Sequence, residues 1–171
     1  WFLLALQSGR MAGLTVPHAN LARISAYLDT VTREGGIKYA YTPREGPSLA
    51  MTAEGLLCRQ YLGWKKTDAR VLKGLDYLLQ NPIRFTETEM DVYYWYYATQ
   101  TMHHMGGKHW KQWNSVMRQS IPKKQIKIGN ERGSWEPSPR SRAGRLYTTC
   151  FCVYMLEVYY RHLPIYQDGL N

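Results

Sequence analysis

Acidic residues are scarce in this chain of 171 residues, with 13 Asp and Glu against 22 Lys and Arg. Phenylalanine is scarcer still, at three. Cysteine is limited to three, too few and too odd in number for a disulfide framework. No Asn-x-Ser/Thr acceptor occurs, which together with the cysteine count points away from a typical secreted glycoprotein. The longest apolar runs, Trp1 to Leu6 and Cys150 to Leu156, fall far short of the roughly 20 residues a membrane span needs. The chain is therefore read as not membrane-spanning. No basic region precedes the opening apolar stretch, so no secretion signal is visible. The chain opens without a methionine, inside what reads as a helix, and the expectation is the C-terminal part of a longer chain. None of this fixes a compartment, cytoplasmic or exported.

What is present is a globular balance of 44% hydrophobic and 20% charged residues, which excludes a disordered chain. The length suits one domain, 1–171, with a core that needs no disulfide or metal staples. The net charge of +9 is unevenly placed. Lys108 to Arg145 holds ten Lys and Arg against two acids, and the rest is close to neutral. Such a segment is either a solvated basic face or a surface for an anionic partner such as lipid headgroups, acidic glycans or nucleic acid. The 14 Tyr point to many half-buried positions, as in a groove or cavity lining, because Tyr joins a large apolar body to a polar tip.

Periodicity predicts seven helices. They are Trp1 to Gly13, His18 to Arg33, Ser48 to Gly63, Thr67 to Gln80, Asp91 to Met105, Lys108 to Ile121 and Gly144 to Leu163. Leu21, Ile24, Leu28 and Val31 show the spacing of three and four. Gly13, Gly35-Gly36, Pro82, Pro122 and Pro164 supply the stops, and Ser48 is a plausible N-cap. The helices near 1, 48, 91 and 145 are apolar on most faces and should be buried. Those near 18, 67 and 108 carry one apolar stripe and should lie outside. This inner–outer alternation is the pattern of stacked helical hairpins.

A shift of 50 residues places Leu21 on Val71, Ala22 on Leu72, Tyr27 on Tyr77 and Leu28 on Leu78. A second feature repeats ahead of two inner helices. Gly36-Ile37-Lys38-Tyr39 leads to Pro43 and the helix at Ser48, and Gly133-Ser134-Trp135 leads to Pro137 and the helix at Gly144. A period near 45–50 residues with two helices per unit means a helical array or toroid.

Gln125 to Gly133-Ser134-Trp135, the Gly-aromatic loops and the alternating hairpins resemble the prenyltransferase/squalene-cyclase repeat. The stretches Met51 to Cys58, Tyr93 to Gln100 and Leu156 to Tyr160 are similar to repeat proteins of that group in planctomycete-type bacteria, which carry no assigned activity. The resemblance implies an all-α fold, an arc of an α/α toroid with about three and a half hairpins. Its chemistry can be checked residue by residue. Class II terpene cyclases need an Asp-x-Asp-Asp cluster, so that one carboxyl stays protonated; the five Asp here are isolated. Protein prenyltransferases hold zinc with an Asp-x-Cys pair and a His. Asp91-Val92-Tyr93 keeps the Asp and puts Tyr93 at the Cys position, and Thr148 stands at the His position. Too few ligands remain for zinc. The Gly-Cys-Gly-Glu-Gln thioester segment is absent. No metal and no cofactor is implied.

His103, His104 and His109 cluster near a helix end without metal-ligand spacing. Cys150 and Cys152 face opposite ways on a helix and read as packing. Glu54, Asp91 and Glu157 lie on or beside apolar inner helices, where charges need partners. They pair with Arg59, Arg145 or Arg161, or Asp91 caps its helix. The functional alternative makes Glu54 or Asp91 a general acid in the toroid's central cavity. The ligand-facing candidates are Tyr93, Tyr94, Trp95, Tyr97, Trp135 and Tyr147. Five consecutive aromatic residues, Tyr93 to Tyr97, cover every face of a helix, so at least half must pack between hairpins.

Two functions follow. The first is a non-catalytic binding or assembly module with a Tyr-rich concave surface and a basic segment. Its partner is another protein or the remainder of the parent chain, with an anionic ligand at Lys108 to Arg145 and nucleic acid disfavoured. The second is a terpenoid-cyclase-like or glycan-processing enzyme that uses a buried carboxyl as general acid.

Overall fold

Side-chain caps set three helix starts. Ser48 Oγ accepts from Met51 N at 3.1 Å, Asp68 Oδ1 from Arg70 N at 2.9 Å, and Asp91 Oδ1 from Tyr94 N at 3.0 Å. Each answers a backbone donor that the first helical turn leaves free. The computed structural model describes residues 1–86, 88–139 and 141–161. Its helices are α1 (Phe2–Met11), α2 (His18–Val31), α3 (Leu49–Tyr61), α4 (Ala69–Leu79), α5 (Val92–Met105), α6 (Gly107–Lys123), α7 (Gly144–Leu156) and α8 (Val158–Arg161). The strands β1 (Thr32–Arg33) and β2 (Lys38–Tyr39) pair antiparallel around the 3₁₀ turn Glu34–Gly36. The chain is mostly helical, in line with its periodicity.

Most helix ends fall within two residues of the expected ones, and three features differ in kind. The small hairpin after α2 was not foreseen, because two-residue strands leave no periodic signal. Pro122 lies within the last turn of α6 instead of ending it. The final helix breaks at Glu157, which caps α7, and α8 follows. Leu163 and Pro164 lie outside the described residues.

Helices α3, α5 and α7 lie side by side in that order, with α5 packed against both neighbours. Glu54 meets Tyr93 and Gln60 meets Thr101, so the contacts advance together and α3 runs parallel to α5. Outside this layer, α4 packs on α3 and α6 on α5. His109 Nε2 and Asp76 Oδ1, 3.0 Å apart, tie α6 to α4. The core sits between the layers, around Leu56, Leu75, Leu78, Trp95, Met102, Trp113 and Met117, all nearly inaccessible.

The expected burial of all four inner helices holds for α3 and α5 only. Helix α1 buries Leu3 alone and leaves Phe2 86% and Met11 63% exposed. Helix α7 leaves Leu146 76% exposed. Both flank the layer, so one face of each has no neighbour among the described residues.

The two Gly-aromatic loops are built alike. Tyr39 and Trp135 are each buried. The Tyr39 amide donates to Thr52 Oγ1 at 3.2 Å, and the Trp135 amide donates to Thr149 Oγ1 at 3.3 Å. Each threonine lies in the helix that follows its loop. Gln125 Nε2 also donates to Gly133 O at 2.9 Å, and Trp135 Nε1 donates to Ile121 O at 2.8 Å.

Two glycines let the layers approach. A Cβ on Gly55 would lie 2.4 Å from the Tyr39 ring. A Cβ on Gly74 would lie 2.9 Å from the Ile37 carbonyl oxygen and 2.6 Å from Leu56 Cδ1. Backbone yields less readily than a side-chain tip. Gly74→Ala should therefore destabilise the fold by about 1–3 kcal/mol, the range for overpacking. Gly46→Ala, with open space around its Cβ, should be neutral or stabilising by a few tenths to about 1 kcal/mol. Urea unfolding of the two variants checks this, and equal midpoints would refute the close-approach argument.

Candidate functional site

Met51, Glu54, Gly55 and Cys58 fall on one face of α3, at spacings of three and four. That face looks onto an open groove of about 760 Å3 bounded by α1, α2, α3 and β2. Phe2, Leu3 and Leu6 line it from α1, and Ile24 and Leu28 from α2. Its polar groups include Asn20, Arg23, Tyr27, Tyr39, Tyr41 and Glu54. A concave, largely apolar space with a few convergent polar groups is the usual form of a ligand site.

Glu54 is the innermost acid of the groove, with its side chain 17% exposed. Its Oε2 accepts from the Tyr93 hydroxyl at 3.1 Å, and its Oε1 lies 3.6 Å from the Trp1 amino nitrogen. Burial and the Glu54 charge push the Tyr93 phenol up to about 12. Tyr93 therefore stays protonated and donates. One turn on, the Tyr97 hydroxyl is fully buried, with its ring edge-on to Tyr93 at 4.9 Å. Burial raises its pKa as well. Burial, and secondarily Glu54, pushes the Cys58 thiol up to about 12, so it is inert as a nucleophile at neutral pH.

Beyond Glu54 an aromatic cluster joins α5 to α7. Phe151 sits at its centre, with ring centroids 5.9 Å from Tyr93, 5.1 Å from Tyr96 and 4.7 Å from Tyr147. All three contacts are edge-to-face, the arrangement the ring quadrupoles favour.

The structure separates the candidates named from sequence. Tyr93, Tyr97 and Tyr147 belong to this cluster or its edge. Tyr94 and Trp95 turn the other way, beside a smaller hollow of about 350 Å3 that Asp91 also lines. The Tyr94 hydroxyl donates to Leu78 O at 3.0 Å and Asn81 O at 2.9 Å, closing the end of α4. Trp95 packs on Phe85, with centroids 4.9 Å apart. Trp135 anchors its loop. Glu54 and Asp91 line different hollows, and the Asp91 carboxylate is engaged as the α5 cap.

Two pairings expected from sequence are corrected. Arg59 does not meet Glu54, and Arg145 meets neither Asp91 nor Glu157. Arg59, 1% exposed, points to the outer side of α3 and pairs with Asp29 of α2. It also donates to the Tyr39 hydroxyl at 3.2 Å and Ser25 Oγ at 3.0 Å, and lies 4.8 Å from the centre of the Trp64 ring. Arg145 binds Glu131 and Glu136, both at 3.0 Å. The side chain of Arg161 lies outside what the structure describes. Among the described residues no three of His, Cys, Asp and Glu gather as a metal site.

The histidines part company. His109 is the α4–α6 tie already described, and His104 Nε2 lies 3.2 Å from the Tyr61 hydroxyl. His103 stands edge-on to Trp110 at 5.0 Å, with its Nδ1 buried and without a partner among the described residues. Sequence reasoning missed the groove itself, Phe151 and the Arg59 clamp. A basic residue inside an apolar inner helix was the available signal for the last.

Comparison with family models, with curated proteins and with solved structures finds no match to this chain.

Two predictions follow from this geometry. Arg59→Ala removes a buried partner of α2 and should destabilise by about 3 kcal/mol. Asp29→Asn, whose side chain is 67% exposed, should cost about 1 kcal/mol or less. Chemical denaturation separates them, and equal effects would contradict the clamp. Burial lowers the His103 pKa, so the folded state binds its proton less readily than the unfolded state. Stability from this group is complete above the unfolded value of about 6.5 and declines as pH falls below it. Melting followed from pH 7.5 down to pH 5 should therefore fall less steeply for His103→Gln than for the parent.

Proposed function

We propose that the chain is a non-catalytic binding module built as an arc of an α/α toroid, of the prenyltransferase/squalene-cyclase repeat type. The groove between α1, α2 and α3 takes an apolar ligand whose hydrogen-bond-donating or cationic end meets Glu54. The observation that carries this reading is the placement of one inward carboxylate, held by Tyr93, in a space of about 760 Å3 with mostly apolar walls. Apolar walls supply affinity, and a carboxylate, which can accept more than the one hydrogen bond that Tyr93 gives it, favours a ligand that brings a donor or a cation. The parallel α3–α5 pair and the two matching Gly-aromatic loops support the repeat architecture.

A second reading has one observation in its favour. Glu54 faces the groove beside Tyr93, within reach of any ligand seated there, which is the geometric requirement for a general acid. Cleavage or isomerisation of a bound ligand by the protein, lost in Glu54→Gln, would favour it. Asp91 is less suited to that role because capping α5 occupies its carboxylate.

Thermal shift with a long-chain amine, alcohol and carboxylate of equal length tests the binding reading. The amine and alcohol should raise the melting temperature by about 5–10 °C when present at about 100 times Kd, and the carboxylate by less. Glu54→Gln should fold and lose the preference for the amine. Met51→Trp, which fills the groove, should lose all three shifts. No shift with any ligand, or shifts that Met51→Trp leaves intact, would remove the groove as the site.

A further inference from the structure

The loop after α6 is rigid and yet holds an apolar side chain in water. Ile126 N donates to Ser134 O and Gly133 N donates to Ile126 O, both at 2.9 Å. The Gln125 side chain braces the same turn through Gly133 O, and Lys127 Nζ donates to Gln125 Oε1 at 3.0 Å. At its tip Ile128 is 84% exposed. Gly129, at φ +77°, makes the reversal that keeps it there. A single exposed aliphatic residue is ordinary on a protein surface, so its surroundings decide its meaning.

Lys123, Lys124, Lys127 and Arg132 are all exposed within five residues of Ile128. None forms an ion pair among the described residues. The two acids of the segment, Glu131 and Glu136, are both held by Arg145. Helix α6, which leads into the loop, has four Lys and Arg and no acid. The tip is thus an aliphatic side chain on a hydrogen-bonded turn, flanked in sequence by four exposed cations that have no ion-pair partner among the described residues.

We propose that this loop docks on an anionic lipid bilayer. Ile128 enters the boundary between headgroups and acyl chains, and the four cations meet the headgroups. Each cation close to such a surface contributes roughly fivefold in partitioning, and the apolar tip adds a contribution that depends on acyl chains. A nucleic acid would use the cations and gain nothing from Ile128, because an aliphatic side chain offers no face on which bases stack. One isoleucine is too small a patch for a protein interface. The pre-formed turn spares the ordering entropy that a flexible basic loop would lose on docking. The inference is independent of the groove.

Sedimentation of the full chain with phosphatidylcholine vesicles, with and without phosphatidylserine, tests it. Binding should require phosphatidylserine and fall as salt rises. Ile128→Ser should lower partitioning roughly tenfold. Replacing Lys123, Lys124 and Lys127 by Gln together should lower it roughly a hundredfold. Lys108→Gln, at the far end of α6, should leave it within about twofold. Circular dichroism confirms that each variant is folded, which is expected because every altered side chain is exposed. Failure to bind the charged vesicles would overturn the proposal. So would binding that Ile128→Ser leaves unchanged, or a preference for a single-stranded oligonucleotide that competes the protein off the vesicles.

Discussion

Arg59 carries a full positive charge at a position only 1% exposed, and a buried charge persists only when its donors are answered. Its four partners come from three separate stretches. Ser25 and Asp29 lie on α2, Tyr39 on β2 and Trp64 in the loop after α3. Arg70 of α4 stacks on the same Trp64 ring at 3.7 Å, which continues the contact to the outer layer. Helix α2 buries only Leu28 and Val31. Leu21 and Ile24 pack against the core as partly buried residues, and the guanidinium adds a polar tie to this apolar attachment. Helix α2 and Tyr39 both line the groove, so the clamp that holds them to α3 also sets the shape of that space.

Side-chain hydrogen bonds to backbone recur wherever a connection must be placed. Thr52 and Thr149 each hold the amide of an aromatic residue one loop upstream. Thr101 Oγ1 donates to Ala53 O at 3.1 Å, and Gln60 Nε2 donates to Thr101 O at 3.2 Å, locking α3 to α5. Such bonds fix register, which apolar packing alone leaves loose. The result is a stiff inner layer against which a groove and an aromatic cluster keep their form. The basic loop after α6 is made in the same way, so its exposed tip is a shape the fold maintains.

Burial divides the tyrosines by task. Tyr94 spends its hydroxyl on the end of α4. Tyr93 spends its own on Glu54. Tyr97, one turn away, buries its hydroxyl beside Tyr93. All three come from one run of aromatic residues, and the helical turn of about 100° per residue sends them to different neighbours.

Helix positions, their amphipathic character and the two matching loops were legible in the sequence, because each rests on local spacing. The capping roles of Ser48 and Asp91 were legible for the same reason. The prominence of Glu54 was also visible, since an acid in an apolar helix face stands out without coordinates. The groove, the partners of Arg59 and the sorting of Tyr93 to Tyr97 were not legible. Asp29 and Arg59 are 30 residues apart, and Glu54 and Tyr93 are 39 apart. No period or motif in the chain links such pairs. Exposure at the flanks of the layer had to wait for the fold as well, because α1 and α7 carry the same apolar composition as their buried neighbours. Composition records what a helix is able to bury, and tertiary structure decides whether a neighbour is there to cover it.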